Sequence, residues 1–105
     1  MINSFNYSEL FNSANEVHDN YLTKAGHALQ KHGNRTGSVF PKVHGTPYVI
    51  NESARRIVRN ILSSENVKYQ QRYHGRFGKI IEIYIPNGQG IRYHSNGKFI
   101  GFIEL

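Results

Sequence analysis

From residue 66 onward the apolar side chains stop recurring every three or four positions and begin to alternate, and that switch of period fixes the fold class. VKYQQRYH sets Val67, Tyr69, Gln71 and Tyr73 on one side and Lys68, Gln70, Arg72 and His74 on the other, the pattern of a half-buried strand. KIIEIYI, after Gly75 to Gly78, puts Ile81, Ile83 and Ile85 on one face and Ile80, Glu82 and Tyr84 on the opposite one. PNGQG then reads as a turn, IRYHS as a short strand, Asn96-Gly97 as a two-residue hairpin turn and KFIGFIEL as a last strand. Four strands joined by short turns make an antiparallel meander.

Ahead of the switch the spacing is helical. Residues 7–18 predict a helix with Leu10, Phe11, Ala14 and Val17 on a narrow apolar stripe. Residues 20–32 predict a second, capped by Asn20, with Leu22, Ala25, Ala28 and Leu29 inward and Gly33 ending it. Residues 52–63 predict a third, capped by Asn51, with Ala54, Ile57, Val58, Ile61 and Leu62 inward and Arg55, Arg56 and Arg59 outward. Gly33 to Pro47 holds three Gly and two Pro, so it reads as a long irregular loop, a type that often carries function. Helices on one face of a four-stranded antiparallel meander make an α+β fold, and 105 residues suffice for one globular domain.

Charge narrows the function. Thirteen Lys/Arg against seven Asp/Glu give a net charge of +6, with six His besides. Such a balance, when gathered on one face, is the electrostatic footprint of a polyanion binder. Zero cysteines exclude disulfides, thiol nucleophiles and Cys-ligated zinc. No run approaches the roughly 18 apolar residues of a membrane span, and MINSFNYSEL lacks the basic-then-apolar pattern of a secretory signal. His27 and His32, five apart, suit no two-ligand helical face, and carboxylates do not cluster, so neither a metal nor another cofactor is expected. No P-loop, nucleotide fingerprint or serine nucleophile elbow occurs.

The chemistry therefore rests on imidazole, ammonium and guanidinium. Lys24, His27 and Lys31 share one face of the second helix, an arrangement that leaves His27 available as a neutral base. His32 sits near the helix C-terminus, where the dipole favours its positive form and suits a general acid. Arg72 with His74, and Arg92 with His94, share strand faces, on the side to which Glu82 and Tyr84 also point; Tyr and Arg there can stack on or clamp bases. Each histidine alone is equally well a solvated or capping side chain, and at least two of Tyr69, Tyr73, Tyr84 and Tyr93 are expected in the core. Cutting RNA without metal needs a base for the 2′-OH, an acid for the 5′ oxygen and cations for the phosphorane, all of which are present. DNA, lacking the 2′-OH, usually calls for metal ligands.

LTKAGHALQKHGNRTGSVFP, INESARRIVRNIL and RFGKIIEIYIPNGQGIRYHSNGKFIGFIEL resemble the C-terminal toxin domains of bacterial polymorphic toxins, those of contact-dependent inhibition and Rhs proteins. The most specific pieces are Ala28 to Gly33 and the hairpin from Asn87-Gly88 to Phe102. The resemblance spans residues 21–105, which sets residues 1–20 aside as an N-terminal helical extension. The order of elements is also similar to the barnase, EndoU, colicin and RelE group of ribonucleases. It implies an antibacterial toxin carried on a larger effector, acting on RNA, with tRNA first, in the cytoplasm of a target cell. An acidic cognate immunity protein is the implied partner, and a host activator protein stays open. By the same analogy Lys31 and His32 would meet Arg72, His74 and Arg92, with His32 and His74 as acid/base pair, Lys31, Arg72 and Arg92 on phosphate, and His27 next in line. Lys24, Arg35, Arg76, His94 and Tyr84 complete the expected RNA surface. A ribosome-associated mRNA-cleaving toxin of a toxin–antitoxin pair, or an RNA-binding module without activity, are the alternatives.

Overall fold

A computed structural model describes residues 6–19 and 21–104. In chain order the elements are α1 (Tyr7–Ala14), β1 (Val17–Asp19), β2 (Leu22–Thr23), α2 (Lys24–Gly33), α3 (Pro47–Ser63), β3 (Lys68–His74), β4 (Gly78–Tyr84), β5 (Gln89–His94) and β6 (Phe99–Glu104). The α+β expectation holds: β3-β4-β5-β6 form an antiparallel sheet in sequence order, and the helices cover one of its faces.

The helices start where their caps place them. Asn6 and Glu9 make a reciprocal capping box at α1, Oδ1 of Asn6 accepting from the Glu9 N–H at 2.9 Å and Oε1 of Glu9 accepting from the Asn6 N–H at 3.3 Å. The helix ends at Ala14 and not at residue 18, because Val17–Asp19 leave it to pair with Leu22–Thr23. That small hairpin also takes the expected first turn of the second helix. Thr23 is the N-cap there, its Oγ1 accepting from the Gly26 N–H at 2.9 Å, while Asn20 lies outside the described residues. α3 begins four residues before the predicted cap, with Thr46 as N-cap and Pro47 in the first turn, where a missing N–H costs nothing. Asn51 instead sits inside α3 and clamps the hairpin. It donates to the Tyr21 carbonyl at 2.8 Å and accepts from the Thr23 N–H at 2.9 Å.

Ala54, Val58 and Ile61 of α3 and Leu29 of α2 meet Ile81, Ile83, Ile91, Tyr93 and Phe102 of the sheet. Each large side chain so buried contributes about 1.5–3 kcal/mol. Leu10 and Ala14 of α1 belong to the same core, Tyr93 Oη donates to the Leu10 carbonyl at 2.8 Å, and the Phe99 N–H donates to Ser13 Oγ at 2.8 Å. Gly33 closes α2 against residues 41 and 42, where any Cβ would run into the Pro41 carbonyl. The connection from Asn34 to Thr46 has no regular element, as its Gly and Pro content predicts.

β3 departs from expectation. It is the outer strand beyond the reach of the helices, so both of its faces are exposed and neither is half-buried. Of the four tyrosines considered for the core only Tyr93 is there, at 0% exposure, whereas Tyr84 is half-buried, Tyr69 exposed and Tyr73 72% exposed.

Candidate functional site

The register Gln70↔Glu82↔Arg92↔Gly101 sets one residue of each strand in a row across the helix-free face of the sheet. Arg72, His74, Glu82, Tyr84, Arg92 and His94 all lie on this face, as their alternation predicts. Where β6 meets α2, the face opens into a cleft of about 570 Å³. From α2 and its C-terminal turn come Lys24, His27, Lys31, His32 and Arg35; from the sheet and the β3–β4 turn come Arg92, His74 and Arg76, with His18 at one end. Gly101 is part of the lining, and no atom lies within 4 Å of where its Cβ would be, so the surface beside Arg92 stays open. The described lining residues include no carboxylate. Of the expected residues, Arg72, His94 and Tyr84 stand outside the cleft.

His32 is held on three sides. Its ring is edge-on to Phe40 at 5.5 Å and to Phe102 at 6.5 Å between centroids, and Nδ1 lies 3.4 Å from Glu104 Oε2. Glu104 also accepts from Ser38 Oγ and the Val39 N–H, each at 3.2 Å, which fastens the loop after α2 to β6. The side chain is only 14% exposed, and burial lowers its pKa below the ordinary 6.5; Arg35 pushes the same way, while Glu104 and the Phe102 backbone oppose without reversing the shift. Burial thus works against the dipole-favoured imidazolium expected from the sequence and biases His32 toward its neutral form. Glu104 is held below the usual carboxylate range, first by the Val39 N–H and then by His32 and Ser38.

His74 is fixed by its own turn. Its Nδ1 accepts from the backbone N–H of Arg76 at 3.0 Å and of Phe77 at 3.4 Å. With Nδ1 committed as acceptor, the neutral ring carries its proton on Nε2. Phe77 packs between the rings of His74 at 4.9 Å and His94 at 5.8 Å, so His94 serves as packing at the back of the turn. Arg76 lies over Phe77, its Cζ 5.1 Å from the ring centre.

Glu82 is the residue whose role sequence reasoning misses. Its buried carboxylate accepts from Gln70 at 2.9 Å, from Arg72 Nε at 2.9 Å and Nη2 at 3.0 Å, and from Arg92 Nε at 2.8 Å, with Arg92 Nη2 in ion-pair contact at 2.7 Å. Arg72 above all, aided by Gln70 and Arg92, holds the Glu82 carboxyl down at about 2 against the penalty of burial. Arg72 and Arg92 thus each commit the Nε–Nη2 edge of the guanidinium to Glu82, and of the two it is Arg92 that borders the cleft. The available signal is the alternation itself: a lone acid on a face of Gln, Arg and Arg at facing positions.

Set against known proteins, residues 11–104 match the family model described as the CdiA C-terminal tRNase toxin domain. The fold is similar to a crystal structure of the toxic C-terminal tip of CdiA from Pseudomonas aeruginosa in complex with immune protein, with a TM-score of 0.75 and 27% identity over 88% of this chain and 99% of that one. Comparison with curated proteins gives no match.

Proposed function

The chain belongs to the family of CdiA C-terminal tRNase toxin domains, and on that premise we propose that it cuts tRNA without a metal ion, by attack of a ribose 2′-OH on the adjoining phosphate. The observation that carries this reading is the cleft itself, which gathers imidazole, ammonium and guanidinium groups from α2 and the sheet with no carboxylate among its described lining residues, Glu16, Glu82 and Glu104 holding Lys24, Arg92 and His32 from outside it. Lys31, Arg92, Arg35 and Arg76 suit the backbone phosphates. His32, biased to its neutral form and steadied by Glu104, takes the 2′-OH proton. The 2′ oxygen then bonds to phosphorus, the bond from phosphorus to the 5′ oxygen breaks, and a 2′,3′-cyclic phosphate and a 5′-OH result.

The leaving oxygen needs a proton that His74 is poorly arranged to give. With Nδ1 engaged by two N–H donors, His74 offers a single Nε2–H, which suits a hydrogen bond to a phosphate oxygen better than proton transfer. His27, on the α2 wall of the cleft, is our assignment for the acid. His27 and His32 thus exchange the roles their helix positions suggested. Arg72 contributes its field and its hold on Glu82 and makes no phosphate contact in this reading.

Two wider proposals accompany the reaction. An acidic immunity protein covers the cleft in the producing cell, since charge complementarity to this surface speeds association. A larger effector delivers the domain to the target cell; no helix among the described residues is long and apolar enough to cross a membrane.

Incubation of the domain with bacterial tRNA in excess EDTA tests the reaction. Discrete fragments ending in 2′,3′-cyclic phosphate are expected; cleavage that appears only with added magnesium would overturn the metal-free mechanism, and tRNA bound but intact under both conditions would favour the RNA-binding module.

A further inference from the structure

The hairpin of β1 and β2 brings together three donors of which the cleft chemistry uses only one. His18 and Asp19 of β1 and His27 of α2 each offer one ligand atom, and these atoms all lie within 4.8 Å of one another. A regular strand would send His18 and Asp19 to opposite faces. Here the pairing of β1 with β2 slips between Val17 and Asp19, and the irregularity lets neighbouring side chains converge, His18 Nε2 lying 3.6 Å from Asp19 Oδ2. The rings of His18 and His27 lie 4.5 Å apart between centroids.

The side chains are at the surface, but their mount is tied down. The Lys24 N–H donates to the Glu16 carbonyl at 2.8 Å, closing β1 onto the start of α2, and Asn51 clamps the hairpin between them from α3. Lys24, on the same turn of α2, is paired with Glu16 at 2.9 Å, which offsets its repulsion of an incoming cation.

Two imidazoles and one carboxylate are the donor set of borderline divalent ions such as Zn²⁺, whereas Mg²⁺ and Ca²⁺ take oxygen ligands. We propose that His18, Asp19 and His27 bind a divalent transition ion of the zinc class at the rim of the cleft, with its fourth coordination position open to solvent. Ligand atoms about 2.0–2.2 Å from a common tetrahedral centre stand roughly 3.5 Å apart, so three atoms already within 4.8 Å of one another must close by little more than about 1 Å. The site stands apart from the nuclease reading, because its occupancy is measured on the metal. It also makes contact with that reading at one residue: His27 cannot coordinate an ion and deliver a proton together, so bound zinc slows cleavage.

The test is a Zn²⁺ titration of the full chain in competition with a chromophoric chelator, repeated for His18→Ala, Asp19→Asn and His94→Ala. One equivalent is expected to bind, undiminished in His94→Ala. His18→Ala and Asp19→Asn should each weaken it by at least the roughly 10–100-fold that loss of a supporting hydrogen bond costs a metal site. The His18 and Asp19 side chains are 41% and 57% exposed, so both variants keep the core, and thermal melts verify this. Absence of stoichiometric binding, or binding that both substitutions leave intact, overturns the proposal. Zinc that binds at these residues without slowing tRNA cleavage upholds the site and removes His27 from the acid role.

Discussion

Two basic clusters border one face of the sheet, and they differ in how far carboxylates already neutralise them. Around β3 and β4, Arg72, Arg92 and Gln70 converge on Glu82, whose charge they share at 2.7–3.0 Å. Along α2 and the β3–β4 turn, His27, Lys31 and His74 face a cleft whose described lining includes no acid. The first cluster has already found its anion and serves the fold; the second has cations to offer and can take a phosphate from outside. Counting basic residues does not separate them. Tracing which ones are already neutralised does, and Arg92 is instructive because it belongs to both.

The sharpest test of that division is chemical. His32→Ala should lower tRNA cleavage by about 10²–10⁴-fold, the usual contribution of an acid or base, while His94→Ala outside the cleft leaves the rate near wild type. A substrate with an aryl leaving group, which needs no acid, should rescue His27→Ala and not His32→Ala; rescue of both, or of neither, would break the assignment. His32→Gln, which keeps a polar side chain between Phe40 and Phe102, guards against a loss that is merely structural.

Glu82→Gln probes the other cluster through stability. The depressed carboxyl contributes stability that is present above its unfolded value of about 4.5 and lost as the pH falls toward about 2. Its contribution is at most about 3 kcal/mol, and less in practice because Arg72 is 43% exposed and screened. The variant should melt lower at neutral pH and lose the steep acid limb between those values; an unchanged acid limb would show that Glu82 is not the titrating group.

Arg92→Ala should slow cleavage by about 10–100-fold, the loss of a charge-assisted phosphate contact, and Arg72→Ala by no more than a few-fold. Equal effects would erase the distinction between the two clusters. The subtlest readout is that of Arg35→Ala, a shift of the pH profile apart from any loss of phosphate affinity. Burial and Arg35 both lower the pKa of His32 below 6.5, so the acid limb of the rate profile should lie below that value and move up toward it in the variant, as followed on the aryl substrate.

Much of this architecture is legible in the amino-acid sequence. The alternation from residue 66 yields strand faces that agree with the observed pairing, and Asn96-Gly97 closes its hairpin with Gly97 at φ 92°, a conformation glycine adopts freely. Eight expected site residues, His27 and His32 among them, do line one cleft. What escapes depends on partners distant in sequence. Thr46-Pro47 is a readable helix start, but Asn51 passes for the cap because nothing local reveals that its amide serves Tyr21 and Thr23. The state of His32 follows from Phe40, Phe102 and Glu104, none of which adjoins it in the chain. β3 reads as half-buried because alternation reports which residues share a face and not whether anything packs on it.

The tie between His32 and Glu104 spans 72 residues, and it has a consequence in time. Helices and adjacent hairpins close short loops and form early; a contact of this separation forms only after the intervening meander has ordered. On the proposed mechanism a partly folded chain therefore has its histidines but not its positioned base, and in a refolding experiment secondary structure should return before RNA cleavage. On that mechanism the cleft stays unmade until β6 has joined the sheet.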